Sequence, residues 1–155
     1  MTRSMDGPET KRPPRLPFKA GFISGEFADL ESLRLCGSRC RTCGVALLGR
    51  RHRCENCSSR ELHDETFSTK GTVHTYTVQR FPPPQPHSCV LPWVPRPVAW
   101  IDLTNGPRII GAIKCSPDVL SIGLAVRLCF EIGWITSNGS EVVTYAFVPN
   151  TSHTA

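Results

Sequence analysis

A mostly β chain is predicted, in which an N-terminal arm, a four-cysteine zinc ribbon and a small five-stranded barrel follow one another along 155 residues. Three observations carry that expectation. Cys40-x-x-Cys43 and Cys54-x-x-Cys57 are two thiol pairs with ten residues between them, a spacing that suits two knuckles closing on one tetrahedral ion. Beyond residue 64, β-branched and aromatic runs alternate with turns carrying Gly, Asn and Pro, and only one short helical connection is found. The charge divides along the same line: residues 1–63 hold 12 Lys and Arg against 7 Asp and Glu, a net of +5, whereas residues 64–155 hold 6 against 6, a net of zero.

Taken in order, Met1 to about Arg15 lacks apolar periodicity and is expected to be disordered or wrapped on a partner. It is polar, basic and proline-rich without the apolar core of a signal segment, and no run in the chain approaches bilayer length. The expectation is a soluble, cytoplasmic protein with no membrane association. From Phe18 to Leu35 the apolar residues Phe22, Phe27, Leu30, Leu33 and Leu35 predict a short helical or irregular lead-in. The domain organisation is therefore read as arm and lead-in over 1–35, zinc ribbon over 36–63 and barrel over 64–150.

Within the ribbon, each Cys-x-x-Cys turns two sulfurs toward one ion, and Gly44 follows the first knuckle where a positive φ is needed. The segment Gly44 to Arg53 is long enough for a short hairpin that brings the knuckles together. With Cys40, Cys43, Cys54 and Cys57 all engaged, no position remains for a catalytic water, so the single zinc is expected to be structural. A pair of disulfides is the alternative, disfavoured by the absence of a secretory signal.

The strand pattern starts with Gly71 to Arg80. A loop from Phe81 to Pro97 contains Pro82, Pro83, Pro84, Pro86, Pro92, Pro95 and Pro97, which remove backbone donors. Val98 to Leu103 and Arg108 to Ile113 read as a hairpin around Thr104-Asn-Gly-Pro107. Val119 to Gly123 connects to strands over Ala125 to Ile132 and Val142 to Val148, which are separated by the turn Asn138-Gly139. Five strands of this kind form a closed or partly open barrel. A seven-stranded sandwich would need more strands than the sequence provides.

Cys36, Cys89, Cys115 and Cys129 follow no ligand spacing and read as buried free thiols, with Cys36 near enough to the first knuckle to be a spare ligand. His87-Ser88-Cys89 lies in a proline-rich loop, a poor setting for a nucleophile and its base. No catalytic residues are assigned. Arg39, Arg41, Arg50, Arg51 and Arg53 flank the knuckles, where four thiolates and a zinc would carry a formal charge of −2. These arginines either offset that charge or bind an external anion, and Arg50, Arg51 and Arg53 are the candidates for the second role.

Several stretches carry a family resemblance. They are Leu33-Arg-Leu-x-x-Ser-Arg-Cys40-x-x-Cys-Gly44, Cys54-x-x-Cys57, Gly71-Thr-Val-x-x-Tyr-Thr-Val78, Pro97-Val-Ala-Trp-Ile-Asp-Leu-x-x-Gly-Pro-Arg108 and Ile122-Gly-Leu-x-Val126. Over about Phe18 to Val148 the chain resembles the zinc-ribbon/OB-fold proteins associated with acyl-CoA metabolism. The resemblance implies a rubredoxin-like zinc ribbon joined to a C-terminal OB-fold barrel. It also implies a non-catalytic accessory subunit that stabilises a thiolase-superfamily enzyme in a hetero-oligomer. Such a subunit helps to hold the acyl-CoA substrate, a coenzyme A thioester, in the degradation of an aromatic or steroid acyl-CoA. On this reading Arg50, Arg51 and Arg53 meet CoA phosphates or the partner. The inter-knuckle segment Val45 to Arg53 departs from the proline-rich, aromatic segment of many relatives.

Zinc ribbons and OB-folds also occur in nucleic-acid-binding proteins, and the sequence pI is about 8.9. The alternative reading is accordingly a single-stranded nucleic-acid-binding protein. The neutral barrel half argues against it, because such barrels interleave a basic groove with stacking aromatics. Tyr76 and Trp93 are the candidates for stacking.

Overall fold

The structure is a computed structural model whose described residues are 12–84, 89 and 91–150. Among these residues, ten strands and two single-turn 3-10 segments make up the regular structure. The arm and lead-in contain β1 (Arg15–Pro17), β2 (Ile23–Ser24) and a 3-10 turn over Leu30–Ser32, with Asp29 as its N-cap. The ribbon is built from β3 (Arg34–Cys40), β4 (Ala46–Leu48) and β5 (Leu62–Thr66). The barrel strands are β6 (Lys70–Gln79), β7 (Arg96–Leu103), β8 (Arg108–Ala112), β9 (Ala125–Ile135) and β10 (Glu141–Pro149). These are the five strands that the sequence predicts. A 3-10 turn over Pro117–Val119 and Gly123, at φ +86°, form the connection between β8 and β9.

The lead-in is mostly irregular with one 3-10 turn, as expected, but it also carries a short strand and gives way to β3 before residue 35. β3 begins at Arg34, and β2 pairs with it antiparallel, Ile23 opposite Leu35. The ribbon hairpin also differs from expectation. β4 pairs with β3, upstream of the first knuckle, and not with a strand inside Gly44 to Arg53. β5 returns from the second knuckle to pair with β3 from Cys40↔Leu62 to Cys36↔Thr66. β3 is thus central, and Gly37 shows why the sheet can close: a Cβ there would come within 1.9 Å of the Leu47 carbonyl oxygen.

The barrel sheet runs β1-β10-β9-β6-β7-β8. On β7 the period of two is complete: Pro97, Ala99, Ile101 and Leu103 point inward, and Val98, Trp100 and Asp102 outward. Closure between β8 and β10 comes from the Ile113–Phe147 bridge and from Tyr145, whose hydroxyl donates to the Ile110 carbonyl at 2.7 Å. The arm adds a sixth strand. β1 lies parallel to β10, and the Arg15 guanidinium donates to Glu141 at 2.8 Å and to the carbonyls of Phe27 and Ala28. Of the arm expected to be disordered or partner-bound, residues 1–11 lie outside the described residues, while the Pro14 carbonyl accepts from Glu141 N–H and Arg15–Pro17 pair with the barrel edge.

One apolar core runs through both modules. Ile23, Leu33 and Leu35 from the lead-in and ribbon join Val73, Ile101, Val126, Val143 and Phe147 from the barrel, with Phe67 buried at the junction. The apolar side chains of the two segments are therefore packed against each other, and burying them favours the joined arrangement.

Candidate metal centre

The two knuckles have the same backbone plan. In the first, the Gly44 amide donates to the Cys40 carbonyl at 2.9 Å, and Cys40 N–H donates to Val45 O at 3.0 Å. In the second, the Ser58 amide donates to the Cys54 carbonyl at 2.9 Å, and Cys54 N–H donates to Ser59 O at 2.8 Å. Each turn needs a left-handed residue just after its second cysteine. Gly44 supplies it at φ +77°, as its place in the sequence predicts, and Ser58 supplies it at φ +61° without being glycine. The Thr42 and Ser59 hydroxyls, 2.8 Å apart, tie the knuckles together.

These turns place the Cys40, Cys43, Cys54 and Cys57 sulfurs within 4.8 Å of one another. Cys40 Sγ lies 3.6 Å from Cys57 Sγ, and Cys43 Sγ lies 3.6 Å from Cys54 Sγ. A tetrahedron with Zn–S bonds of about 2.3 Å has edges of about 3.8 Å, so the donor set fits one zinc ion. All eight cysteines are free thiols, which leaves the disulfide alternative without support. Amides aimed at the sulfurs favour thiolate. The Cys43 and Thr42 amides, against some desolvation, and the neighbouring sulfurs bring Cys40 down to about 6. The Asn56 side chain and the Val45 amide lower Cys43. At Cys57 the Ser59 amide pulls downward, but desolvation and the other three sulfurs outweigh it and push the thiol up to about 12. A divalent cation would be held by these four sulfurs as thiolates, displacing their protons on binding.

The remaining cysteines lie apart from this centre. Cys36 is buried and donates to Gly21 O at 3.3 Å, so it is not a spare ligand. Burial raises the thiols of Cys36 and Cys115, the opposite of nucleophile activation. Cys89, Cys115 and Cys129 are half-buried, less enclosed than predicted. His87 and Ser88 lie outside the described residues.

The inter-knuckle arginines divide. Arg50 pairs with Asp64 at 3.4 Å, and Arg51 pairs with Glu55 at 3.2 Å and donates to Leu48 O. Arg53 is exposed and makes no ion pair among the described residues. Arg39 is bound more tightly, donating to both Glu65 oxygens at 2.6 and 3.2 Å.

Sequence reasoning overlooked the outward face of β6, β7 and β8. Trp100 faces Ile110 across β7–β8 and Thr75 across β6–β7, and is 44% exposed beside Ile110 at 49%, whereas Tyr76, 41% exposed, pairs with the inward-facing Ala99 and belongs to the other face. One end of this face carries His74, 3.2 Å from Asp102, which Arg108 also grips at 2.6 Å. Trp93, the other stacking candidate, sits under the Arg96 guanidinium and donates to Gln79 O at 3.2 Å. The continuous apolar run Val98-Ala-Trp-Ile concealed which face each residue takes. The register shift between Val73 and Thr75 on β6 has no clear mark in the sequence.

A family profile, ChsH2 C-terminal OB-fold domain, matches residues 64–131. The chain is 34% identical over 116 residues to a DUF35 domain-containing scaffold protein of Methanocaldococcus jannaschii, covering 73% of this chain and 78% of that one. It is 32% identical to proteins of the same description from Methanothermobacter thermautotrophicus and Pyrococcus furiosus, covering 83% and 85% of those relatives and 73% and 77% of this chain. Among solved structures, a chain of the Ltp2-ChsH2(DUF35) aldolase superposes with a TM-score of 0.51 at 26% identity, over 75% of this chain and 84% of that one. The fold and the four-cysteine centre define a zinc-ribbon/OB-fold protein. The chain belongs to the DUF35 family.

Proposed function

We propose that the chain is a non-catalytic accessory subunit that binds and stabilises a thiolase-superfamily enzyme and helps to hold its acyl-CoA substrate. The observation that carries this reading is the likeness, over three quarters of the chain, to scaffold proteins and to a chain of an Ltp2-ChsH2(DUF35) aldolase. Two features of the molecule support it. Burial raises the Cys36 and Cys115 thiols, the opposite of nucleophile activation. The outward face of β6, β7 and β8 carries Trp100 and Ile110 where a solvated sheet face would carry polar residues.

In this role the zinc is structural and shapes the ribbon, and the enzyme chain covers the Trp100–Ile110 face. Because Asp102 neutralises Arg108, that face presents apolar area with a balanced polar rim, which suits a protein surface better than a polyanion. Arg50, Arg51 and Arg53 contact CoA phosphates or an acidic edge of the partner, with Arg53 the freest of the three. The acyl group belongs to an aromatic or steroid breakdown intermediate, and the complex resides in the cytoplasm. Among the described residues no helix is long and apolar enough to cross a membrane.

Single-stranded nucleic acid is the competing ligand, favoured by exposed Trp100 on the outward strand face and by the exposed Tyr76 ring on neighbouring β6. Titrating the chain with a labelled oligonucleotide and, separately, with a thiolase-superfamily enzyme separates the readings. The accessory role requires saturable enzyme binding. Oligonucleotide binding that weakens steeply with salt, without enzyme binding, would replace it.

A further inference from the structure

We propose that Arg39 couples the metal centre to the β7–β8 hairpin, so that zinc occupancy sets how firmly the turn bearing Asn105 is held. Arg39 is the residue immediately before the ligand Cys40 on β3. Its guanidinium reaches three parts of the molecule at once. One nitrogen donates at 3.0 Å to the carbonyl of Gly44, the residue that closes the first knuckle. Two others grip Glu65 on β5, and one of these also donates to the Asn105 carbonyl in the turn between β7 and β8.

Arginine suits this task because its five donors lie in one rigid plane, so a shift at one acceptor is felt at the others. Gly44 O is fixed by a knuckle whose shape depends on Cys40 and Cys43 converging on one ion. At the far end, Asn105 occupies the left-handed region at φ +54°, which sets the direction of its carbonyl. The turn has a second anchor that does not involve the metal. A Cβ on Gly106 would lie 3.4 Å from the Phe67 ring, and a Cβ on Gly37 of β3 would lie 2.9 Å from the same ring. Apolar packing through Phe67 holds the hairpin near the ribbon whether or not zinc is bound, while the polar link through Arg39 depends on the knuckle. Releasing the ion therefore loosens the turn and leaves the barrel core closed. By linkage, whatever steadies the hairpin must also strengthen zinc binding.

Arg39 is a positioning residue here, and the test must separate coupling from a merely structural ion pair. Hydrogen exchange of the full chain, with zinc bound and after chelation, is followed at the Leu103 and Gly106 amides, which donate to Pro107 O and Leu103 O. In the wild-type chain, chelation should speed exchange at these amides about tenfold, the worth of one hydrogen bond to a charged group. The barrel amide of Val73, bonded to Leu124 O, should change little. Arg39→Gln should exchange fast at Leu103 and Gly106 even with one zinc bound, and chelation should add almost nothing. Arg39→Lys, which keeps the charge without the planar fork, should fall in between and guards against poor folding of the first variant. Equal acceleration on chelation in wild type and Arg39→Gln, or no acceleration in the wild type, would overturn the proposal.

Discussion

At the scale of single residues, the metal centre rests on four sulfurs and two left-handed turn positions. Cys54→Ser should abolish zinc binding and unfold the two knuckles, because structural zinc supplies folding free energy directly. Metal analysis of the purified variant reads this, and one zinc per chain in Cys54→Ser would contradict it. Ser58 at φ +61° carries strain that Gly44 avoids. Ser58→Gly should therefore raise stability by up to about 1 kcal/mol, while Gly44→Ala should lower it by at least as much. Thermal unfolding of the zinc-loaded chain measures both. The ligands were legible in the sequence because Cys-x-x-Cys spacing leaves few other uses for paired thiols. Ser58 was not, since serine gives no signal for a positive φ. The partner of Arg50 was equally hidden, because Asp64 reaches Arg50 only after the chain has returned along β5. If Arg50, Arg51 and Arg53 contact CoA or the enzyme, the triple Ala variant should bind the complex less tightly with one zinc retained. Lost zinc with unchanged affinity would assign them to offsetting the thiolate charge instead.

At the scale of elements, the five barrel strands were legible as β-branched runs between turn residues, but their faces and pairings were not. The segment between the knuckles contains only β4, whose partner β3 is the strand that runs up to the first ligand, Cys40. Gly37 was the available clue. Its Cα sits against β4 so closely that Gly37→Ala should separate β3 from β4 and cost several kcal/mol, read as lost zinc retention and a lower melting temperature. On the outer face, Arg108 holds the Asp102 carboxyl below the usual carboxylate range. Its stabilising contribution to the hairpin is present above the ordinary aspartate pKa of about 3.9 and is lost as pH falls through the lower folded value. Exchange at the hairpin amides should accordingly rise below about pH 4, and Asp102→Asn should remove that dependence. Trp100→Glu should leave stability within about 0.5 kcal/mol, because the side chain is 44% exposed. It should weaken enzyme binding at least tenfold if Trp100 anchors the interface, as buried interfacial tryptophans commonly do.

At the scale of the whole molecule, a shared core and the Arg39 bridge make the ribbon and barrel one body, with β1 of the arm seated on β10. The sequence divides the chain at about residue 64 because composition and charge change there, yet Phe67 packs against both sides of that division. Composition reports where surface chemistry changes and carries no record of which apolar side chains meet in the core. A fused body of this kind suits a subunit whose task is to present fixed surfaces to another chain. The central claim is that this chain supports an acyl-CoA enzyme and does not itself turn over substrate. The most direct measurement combines the purified chain with a thiolase-superfamily enzyme that co-purifies with it, and follows acyl-CoA turnover by the chain alone, the enzyme alone and the complex. The account predicts no turnover by the chain alone and higher activity or a higher melting temperature for the enzyme in the complex. Turnover by the isolated chain, or an enzyme indifferent to its presence, would contradict it.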